Sequence, residues 1–578
     1  MPYFQTHIKF VTVTMIIAAL CGAWRIEQFG QIELVSDQAF FTQWVIRLAK
    51  THHFFPIDLD GQGWFQALLH DDESFLNVFL RQIYQAQTLV FIAISALLFT
   101  LASFLVGVSM EGIVTFSVAT SAIALWLVAL FPVMCRRTAS KDIPVMEPYA
   151  IGGLALIIGC ASSFFNIFSV MGQHNSGVMF LLLAALVTQR WLNRFSETGL
   201  IFAERSTTFI MFTVQLMAIY SQYTNVFIIA PATVIAVALD PSFGPWRRFG
   251  VIARYSGITF VTFIPALALI VLFSFLSDGT TNDQTFAGIA ADHIFTSGNL
   301  AEKMIFERAG LWFVKVAEIY TVPGLFLGLI GVAGMAWRDR IILPVAVVIA
   351  HFAFGSLLPP FGQYNRTAAY LLPMLMLGEA WLIVAGFRYF ISQRHFGWRR
   401  TTGIGLLVVL VLTAVIRQAA IEYSRIENPS TVVHWGELIG EAVWRPIISQ
   451  IEASIPGGGT LLPWNYGLSH QFRSLSERDG QELRVLRPLE TMLIHREAGT
   501  LRQYIETRGL TISEKHPIFV LAPADITPKM LNRNLQSVFD EKGFALQALP
   551  FATPRLMWKL PPSKYLKIGL RLFEIDWR

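Results

Sequence analysis

Charged residues and cysteines are both scarce in this sequence. Only 14% of its 578 residues are charged, whereas a typical soluble domain has about 25%. Cys21, Cys135 and Cys160 are the only cysteines, and each lies in or at the edge of an apolar run. This number and spacing exclude a disulfide framework and a cysteine-based zinc site. Residues 419–578 also contain no phosphate-binding loop and no catalytic-triad motif.

Apolar residues are abundant instead, and they are unevenly distributed. They make up 54% of the chain, and runs of about 16–26 residues fill the region between 89 and 418. A helix of about 20 apolar residues crosses a hydrocarbon layer roughly 30 Å thick. The sequence therefore predicts a polytopic α-helical membrane region over 1–418, which includes a loop at 25–88, and a separate region over 419–578.

The net charge of +5 does not indicate a nucleic-acid partner, because the basic residues cluster in short loops beside apolar runs. Such loops face the cytoplasm by the positive-inside rule. They contain Arg190, Arg194 and Arg205; Arg247, Arg248 and Arg254; and Arg388, Arg394, Arg399 and Arg400. The acidic loops 25–88 and 277–320 are then external, and so is the C-terminal region.

Twelve apolar segments are predicted, at 8–24, 89–108, 112–134, 148–165, 177–192, 207–222, 223–240, 255–276, 321–337, 341–358, 367–387 and 402–418. The first has no small-residue cleavage site after it, so we expect a retained span rather than a signal peptide. A cytoplasmic N-terminus and an external C-terminus require an odd number of crossings. Eleven or thirteen crossings fit better than twelve, and the conflict lies between residues 89 and 147.

The C-terminal region alternates strand-like and helical patterns. We expect an amphipathic helix over 434–455 and further helices at about 491–508 and 527–542. Short strands are predicted at Thr460–Leu462, Leu483–Leu486, Ile518–Leu521 and Ala545–Leu549. This alternation is typical of a small α/β domain.

The loop 25–88 contains the most informative pattern. Its apolar residues Phe40, Phe41, Trp44, Val45 and Leu48 recur on one face of a helix. A helix with an aromatic face next to a membrane span lies in the interface plane. Asp37, at the start of that helix, is therefore expected at the depth of lipid phosphate groups, although an acid there also serves as an ordinary helix cap.

Several short stretches resemble the GT-C superfamily of membrane glycosyltransferases, which includes protein mannosyltransferases and lipid A aminoarabinose transferases. Asp37–Phe41 resembles that family's Asp-Glu-Ala-Tyr-Tyr, with Gln38 in place of the second acid. Weaker matches follow in the expected order at His53–Pro56, Gln173–Gly177, Ser221–Thr224, Tyr364–Arg366 and Tyr370–Pro373. The resemblance covers roughly 1–418 and implies a GT-C-like fold with about 11–13 transmembrane helices.

The resemblance also implies an activity and a site. Asp37 would be the base that accepts a proton from the acceptor hydroxyl, and Arg366 would bind the departing phosphate, with Arg81 in reserve. The other candidate substrate-binding residues are Tyr364, His174, Asp142 and Glu379. The expected partners are a polyprenyl-phosphate sugar, a lipid, glycan or protein acceptor, and the bilayer of a bacterial inner (plasma) membrane.

Alternatives remain open at this stage. Arg366 is equally interpretable as a snorkelling interfacial residue. Glu379, inside an apolar segment, predicts either a structural ion pair or a role in a lipid cavity. No cofactor is expected, and the adjacent His52 and His53 are the one hint of a divalent metal. The competing functions are a transporter or lipid flippase, and a surface-polysaccharide polymerase or ligase.

Overall fold

The computed structural model describes residues 2–29, 32–34, 110–135, 146–162, 172–198, 205–221, 225–276, 305–357, 370–392 and 397–427, and in the C-terminal region 438–440, 460–463, 484–485, 518–523, 527, 529, 531, 533, 544–548, 556–560, 564–568 and 570–577. The chain forms two compact units. The first comprises 1–26, 83–94 and 114–423, and the second comprises 27–82, 95–113 and 424–578. The division at 418/419, with loop 25–88 assigned to the membrane region, stays a prediction.

The described helices account for the predicted apolar segments other than 89–108, which lies outside the described residues. The helices are α1 (Pro2–Phe29), α2 (Met110–Met134), α3 (Glu147–Ala161), α4 (Gly172–Thr198), α5 (Arg205–Ser221), α6 (Val226–Leu239), α7 (Pro245–Leu276), α8 (Ile305–Tyr320), α9 (Val322–Gly334, continued by a π-helical turn at Met335–Asp339), α10 (Leu343–Leu357), α11 (Leu372–Ser392) and α12 (Gly397–Glu427). Long segments without charge form helices in a membrane, because a helix bonds every backbone N–H and C=O group within the segment.

Contacts between α1, α2 and α3 fix their relative directions. The Phe10 ring packs edge-on against Tyr149 near the start of α3, with centroids 5.0 Å apart. The Cys21 thiol lies 3.9 Å from the Cys160 carbonyl near the end of α3, and Gly22 packs against the first half of α2. Thus α1 is parallel to α3 and antiparallel to α2.

The next helices continue this back-and-forth course. Arg194, near the end of α4, donates to Thr207 near the start of α5 at 3.2 Å. The Asn225 amide, just before α6, donates to the carbonyls of Gly177 in α4 and Ala218 in α5 at 3.0 and 2.8 Å. The start of α4, the end of α5 and the start of α6 therefore lie together, and the three helices are antiparallel in sequence.

The alternation of helix direction continues to α12. The contacts that show which helix ends lie together are Phe195–Phe243 and Phe195–Arg247 at the α6–α7 turn, Gln189–Leu343 at the start of α10, Phe227–Phe354 near the end of α10, Glu147–Arg388 near the end of α11, and Glu379–Arg417 in the second half of α12. We call the end of the first unit at which α2, α4, α6 and α11 finish the basic end, since Arg194, Arg247 and Arg388 lie there, and the other end the opposite end.

The directions of the described helices bear on the number of crossings. Among the described helices, all except α8 run between the two ends, which makes eleven. α1 begins at the basic end and α12 finishes at the opposite end. The predicted segment 89–108 and the residues between α2 and α3, which include Arg136, Arg137 and Lys141, lie outside the described residues. The total of eleven or thirteen crossings stays a prediction.

Three described helices are long and apolar enough to cross a bilayer on their own: Thr6–Trp24, Leu372–Ile391 and Thr401–Ala420. Five shorter apolar helices of 10–17 residues are also found among the described residues. The surface of α1 and α12 is largely apolar, with Leu20, Val409 and Leu412 exposed. The protein is therefore an integral membrane protein, because such a surface is stable only in lipid.

A sharp bend separates α8 from α9, at an angle of 104°. It occurs at Thr321, whose φ of 67° lies in the left-handed region, where a β-branched residue is strained. The Thr321 hydroxyl accepts a bond from the Gly324 amide at 3.4 Å and caps α9. Part of the predicted external loop 277–320 is thus a helix, α8, that leads directly into the bundle.

Helices α9 and α11 are parallel and pack at backbone distance. A Cβ on Gly331 would lie 1.7 Å from the Gly378 carbonyl oxygen, and one on Gly378 would lie 2.1 Å from the Gly328 carbonyl oxygen. Only glycine fits at such an approach, which is typical of helix pairs in membranes. The pair positions Tyr320 and Asp339, which flank α9, against side chains of α11 on both sides of the contact.

The C-terminal region contains a five-stranded sheet in the order β4-β3-β5-β9-β6. Its strands are β3 (Thr460–Pro463), β4 (Arg484–Val485), β5 (Ile518–Pro523), β6 (Phe544–Ala548) and β9 (Leu570–Trp577). β3 is parallel to β4 and β5, and β9 is antiparallel to β5 and β6. The four predicted strands are confirmed, and β9 was not predicted. The soluble α/β domain as a whole stays a prediction.

Two smaller strand pairs complete the described part of the second unit. β1 (Ile32–Leu34) pairs antiparallel with β2 (Leu438–Gly440), and β7 (Leu556–Leu560) pairs antiparallel with β8 (Lys564–Ile568). The prediction of one helix over 434–455 is wrong at 438–440, because β2 bonds to a strand far away in sequence that local periodicity does not reveal. The predicted helix at 491–508 lies outside the described residues.

Candidate functional site

The predicted site residues are only partly described. Asp37, Arg81, Asp142, Tyr364 and Arg366 lie outside the described residues. The backbone of His174 belongs to the first turn of α4, at the opposite end. Glu379 is fully described, and the side chains around it form the candidate site.

Glu379 lies in α11 and is completely buried. Its two carboxylate oxygens accept bonds from Nη2 of Arg417 in α12, at 3.0 and 3.1 Å. The Tyr320 hydroxyl, at the end of α8, donates to Oε2 of Glu379 at 2.5 Å. Three helices, α8, α11 and α12, thus meet at one carboxylate.

The local packing explains why Arg417 reaches Glu379. Arg417 follows Leu407 and Ala414 along the buried face of α12, and its guanidinium lies over the Tyr320 ring, with Cζ 5.5 Å from the centroid. Gly324 opens the space, since a Cβ there would lie 2.6 Å from Nη2 of Arg417. The guanidinium therefore occupies a slot that only a glycine leaves free.

The cluster is electrically balanced. Glu379 and Arg417 neutralise each other, and Tyr320 supplies a hydroxyl to the carboxylate. A buried charge is stable only when it is paired and hydrogen-bonded. Of the two interpretations of Glu379, the ion pair is what the structure shows, while a contact with substrate stays a prediction.

One nitrogen of the cluster is unsatisfied. Nε of Arg417 is buried and has no hydrogen-bond partner. Gln418, the next residue of α12, is fully buried, and neither its amide nitrogen nor its amide oxygen has a partner. Unused hydrogen-bonding groups of this kind are unusual in a buried position.

A second polar pair, Trp312 and His351, ties α8 to α10. The indole Nε1 of Trp312 donates to Nδ1 of His351 at 2.9 Å, and both side chains are buried. Acceptance at Nδ1 places the imidazole proton on Nε2. Gly355 permits this packing, because a Cβ there would lie 2.2 Å from the Trp312 ring. The pair holds the bent helix α8 against the bundle.

The basic end has its own charge cluster. Glu147, at the start of α3, bonds to Arg338 and, at 3.1 Å, to Arg388. Asp339 accepts from Arg338 at 2.7 Å and from the Trp381 indole at 2.6 Å, while the Arg338 guanidinium stacks on the Trp381 ring at 4.8 Å. The cluster joins α3, α9 and α11 and borders a small cavity lined mainly by apolar side chains.

Among the described residues, no three His, Cys, Asp or Glu side chains come together. The hint from His52 and His53 concerns residues outside the described ranges. The carboxylates of Glu147, Asp339 and Glu379 are engaged by arginine, tyrosine or tryptophan, so these three do not fit the role of ion ligands.

Sequence reasoning missed both partners of Glu379. Arg417 carried a usable signal, because it is an ionisable residue within the apolar segment 402–418, as Glu379 is within another segment. Two opposite charges in apolar segments predict each other as partners. Tyr320 carried no such signal, since polar residues near helix ends are common.

Comparison with solved structures reveals the fold. The crystal structure of ArnT from Cupriavidus metallidurans bound to undecaprenyl phosphate superposes with a TM-score of 0.50 at 10% identity, over 98% of this chain and 98% of that chain. The Archaeoglobus fulgidus oligosaccharyltransferase complex with Zn and sulfate matches with a TM-score of 0.50 at 11% identity, over 96% of this chain and 73% of that chain. This chain therefore shares its overall fold with these two solved structures.

A third structure, that oligosaccharyltransferase tethered to an acceptor peptide, gives a TM-score of 0.50 at 10% identity, over 97% of this chain and 73% of that chain. No family model matches the sequence, and no curated protein matches it. The GT-C resemblance deduced from short motifs is thus supported at the level of fold. The roles of individual residues stay predictions.

Proposed function

We propose that this protein is a GT-C glycosyltransferase that moves one sugar from a polyprenyl-phosphate donor to an acceptor at the external face of a bacterial inner (plasma) membrane. The observation that carries this proposal is the likeness in fold to ArnT over nearly the whole of both chains. That structure contains undecaprenyl phosphate. The likeness to an oligosaccharyltransferase with a tethered acceptor peptide supports an acceptor partner of lipid, glycan or protein nature.

The chemistry requires a base and a cation. Asp37 accepts the proton of the acceptor hydroxyl while the acceptor oxygen attacks the anomeric carbon of the sugar. The bond from that carbon to the phosphate oxygen breaks, and its electron pair leaves with the polyprenyl phosphate. Arg366, with Arg81 in reserve, neutralises the charge that develops on the phosphate. Tyr364, His174 and Asp142 are the remaining candidates for binding substrate.

Glu379 enters this proposal through its partners. Its ion pair holds Arg417 at the junction of α8, α11 and α12. The cluster lies toward the opposite end, which the charge distribution predicts to be external. A contribution of Glu379 to substrate binding is therefore proposed as a property of the whole cluster.

Replacement of Asp37 tests the activity. Asp37→Asn removes the base with little change in shape, so sugar transfer should fall by roughly 10²–10⁴-fold. Transfer is measured in membranes with a panel of radiolabelled undecaprenyl-phosphate monosaccharides, and insertion is verified by gel filtration in detergent. Asp58→Asn, the same change in the same loop, is the matched control and should keep wild-type activity.

The possible results separate two failures. Full activity of Asp37→Asn would remove Asp37 as the base and leave the donor class standing. Absence of transfer from every donor of the panel by the wild-type protein would contradict the donor class. Loss of activity in both variants would show that the loop tolerates no change, and the role assigned to Asp37 would fall.

A further inference from the structure

The charge cluster at the basic end has buried acids and outward-facing bases. The side chains of Glu147 and Asp339 are 4% and 6% exposed, whereas those of Arg338 and Arg388 are 30% and 42% exposed. Arg340, two residues after Arg338, is also exposed. An anion that approaches this surface therefore meets guanidinium groups before it meets the carboxylates that pair with them.

The contacts of Arg338 hold its guanidinium in one place. Its Nε and Nη2 atoms donate to Asp339 and Glu147, and its Cζ lies 4.8 Å from the centre of the Trp381 ring. Gly334 admits that ring, because a Cβ there would lie 2.2 Å from it. A guanidinium that is fixed before binding loses little conformational entropy when it takes up a ligand.

Arg338 keeps donors for a further partner. A guanidinium has five N–H groups, and among the described residues no acceptor binds Nη1 of Arg338. Arg388 lies beside it, because Nη1 of Arg388 and Nη2 of Arg338 bind the two oxygens of the Glu147 carboxylate. Two adjacent, partly exposed guanidiniums suit the oxygens of a phosphate group.

The backbone before α10 adds a third arginine to this surface. The π-helical turn Met335–Asp339 ends α9, and Arg340 follows it with a φ of 58°, in the left-handed region. π-helical turns occur frequently at functional sites, and residues other than glycine with such a φ cluster at ligand-binding sites. The Cα atoms of Arg338 and Arg340 lie within about 8 Å of each other.

Exposed aromatic side chains mark the depth of this surface in the bilayer. Trp337 is 85% exposed and Tyr389 is 60% exposed, and each is the sequence neighbour of one of the arginines. Tryptophan and tyrosine are enriched at the level of lipid head groups, and the positive-inside rule places the basic end in the cytoplasm. Anionic phospholipids give the cytoplasmic leaflet a negative surface potential.

We propose that Arg338, Arg340 and Arg388 form a binding site for the phosphate head group of an anionic phospholipid of the cytoplasmic leaflet. Basic pockets between transmembrane helices on the cytoplasmic side bind such head groups. Because the cluster joins α3, α9 and α11, the bound lipid stabilises the contact between these helices. This site is independent of the proposed sugar transfer.

Lipid binding to the purified full-length protein tests the site. Delipidated protein in detergent is titrated with phosphatidylglycerol or phosphatidylcholine, and dissociation constants are measured by native mass spectrometry. The wild-type protein should bind phosphatidylglycerol more tightly than phosphatidylcholine. Arg340→Gln combined with Arg388→Gln should weaken the binding of phosphatidylglycerol by about 30-fold, because each arginine near an anionic lipid contributes about fivefold.

Arg194→Gln combined with Arg247→Gln is the matched control. It removes the same charge from exposed arginines at the same end, in α4 and α7, and should bind phosphatidylglycerol like the wild type. Arg340→Gln alone leaves the described contacts of the cluster in place and should weaken binding about fivefold, which separates binding from folding. An equal loss in the control, or equal affinity of the wild type for both lipids, would overturn the site.

Thermal unfolding distinguishes a lipid from a soluble anion. Phosphatidylglycerol should raise the unfolding midpoint of the wild-type protein, since a ligand that binds the folded state stabilises it. The midpoint of the Arg340→Gln, Arg388→Gln variant should rise less. Inorganic phosphate at the same concentration should not raise the midpoint of the wild type. An increase with inorganic phosphate as large as that with the lipid would contradict the proposal, because the occupant would then be a soluble anion.

Discussion

Two charge clusters lie on the same pair of parallel helices, and they are built differently. At the basic end, Glu147 has two arginine partners, Arg338 and Arg388, whose side chains are 30% and 42% exposed. Glu379 has one, Arg417, which is 12% exposed. One cluster is redundant and reaches the surface, whereas the other has a single cation and is enclosed.

The difference shows that two properties, the burial of an ion pair and the number of its partners, determine how much each charge contributes to stability. Exposed ion pairs contribute about 0–1 kcal/mol, because water and salt screen them. Breaking a buried pair by removing one partner costs about 3–5 kcal/mol, because an uncompensated charge stays behind. We therefore expect the Glu379 cluster to be intolerant of single changes and the basic end to tolerate them.

The largest effect is expected for Arg417→Met. It leaves the Glu379 carboxylate buried with only Tyr320 as a partner and should destabilise the protein by about 3–5 kcal/mol. Thermal unfolding in detergent measures this change. Arg254→Met is the matched control, since Arg254 is an exposed arginine of α7, and its effect should stay within about 0.5 kcal/mol.

A double replacement sharpens this test. Arg417→Met combined with Glu379→Gln removes both charges and should recover most of the lost stability. If the double variant is stable but has lost sugar transfer, the cluster has a role in the substrate site. If the double variant is both stable and active, the pair is structural only, and Glu379 leaves the list of substrate-binding candidates. A double variant as unstable as Arg417→Met would contradict the single-pair interpretation.

An intermediate effect is expected from the contact that joins the two clusters. Gly331→Ala places a methyl group 1.7 Å from the Gly378 carbonyl oxygen, so α9 and α11 must separate, at a cost of about 1–3 kcal/mol or more. Gly153→Ala, at a helical glycine with no atoms near its Cβ position, should be neutral or up to about 1 kcal/mol stabilising. Equal unfolding temperatures for the two variants would show that the helices are not in contact there.

The smallest effect is expected for Arg388→Gln. Glu147 keeps Arg338, and Arg388 is largely exposed, so the change should be below about 1 kcal/mol. Arg338→Gln should cost more than Arg388→Gln, because it also removes the bond to Asp339 and the stacking on Trp381. The reverse order in thermal unfolding would contradict the geometry of this cluster.

Sequence patterns located the helices well because a membrane span depends on local composition. The segments that became α1 to α7 and α9 to α12 are continuous in sequence, so hydropathy alone reveals them. Their directions also followed from charge at the loops, except around Arg136 and Arg137. For the connection between α2 and α3, the sequence does not show at which end of the bundle α2 finishes and α3 begins. Only contacts such as that of Cys21 with Cys160 show it.

The parts that sequence reasoning missed depend on partners far away in the chain. β2 was predicted as part of a helix because the local apolar pattern does not reveal that residues 438–440 pair with β1. In β9, Phe573, Ile575 and Trp577 alternate with Glu574 and Asp576, which is a readable strand pattern that was not singled out. Glu379 was identified as significant, but Tyr320 comes from a helix that no local pattern brings near it. Arg417 carried a signal, its opposite charge in an apolar segment, that was not used.

The parallel course of α9 and α11 has a consequence for how the protein is made. Parallel neighbours cannot enter the bilayer as one hairpin, so their glycine contact forms only after α10 has crossed back between them. Glu379 is synthesised and inserted with α11 before Arg417 arrives with α12. For that interval its charge lacks the cation that neutralises it in the finished fold, so the last helix completes the assembly of α11 in the lipid.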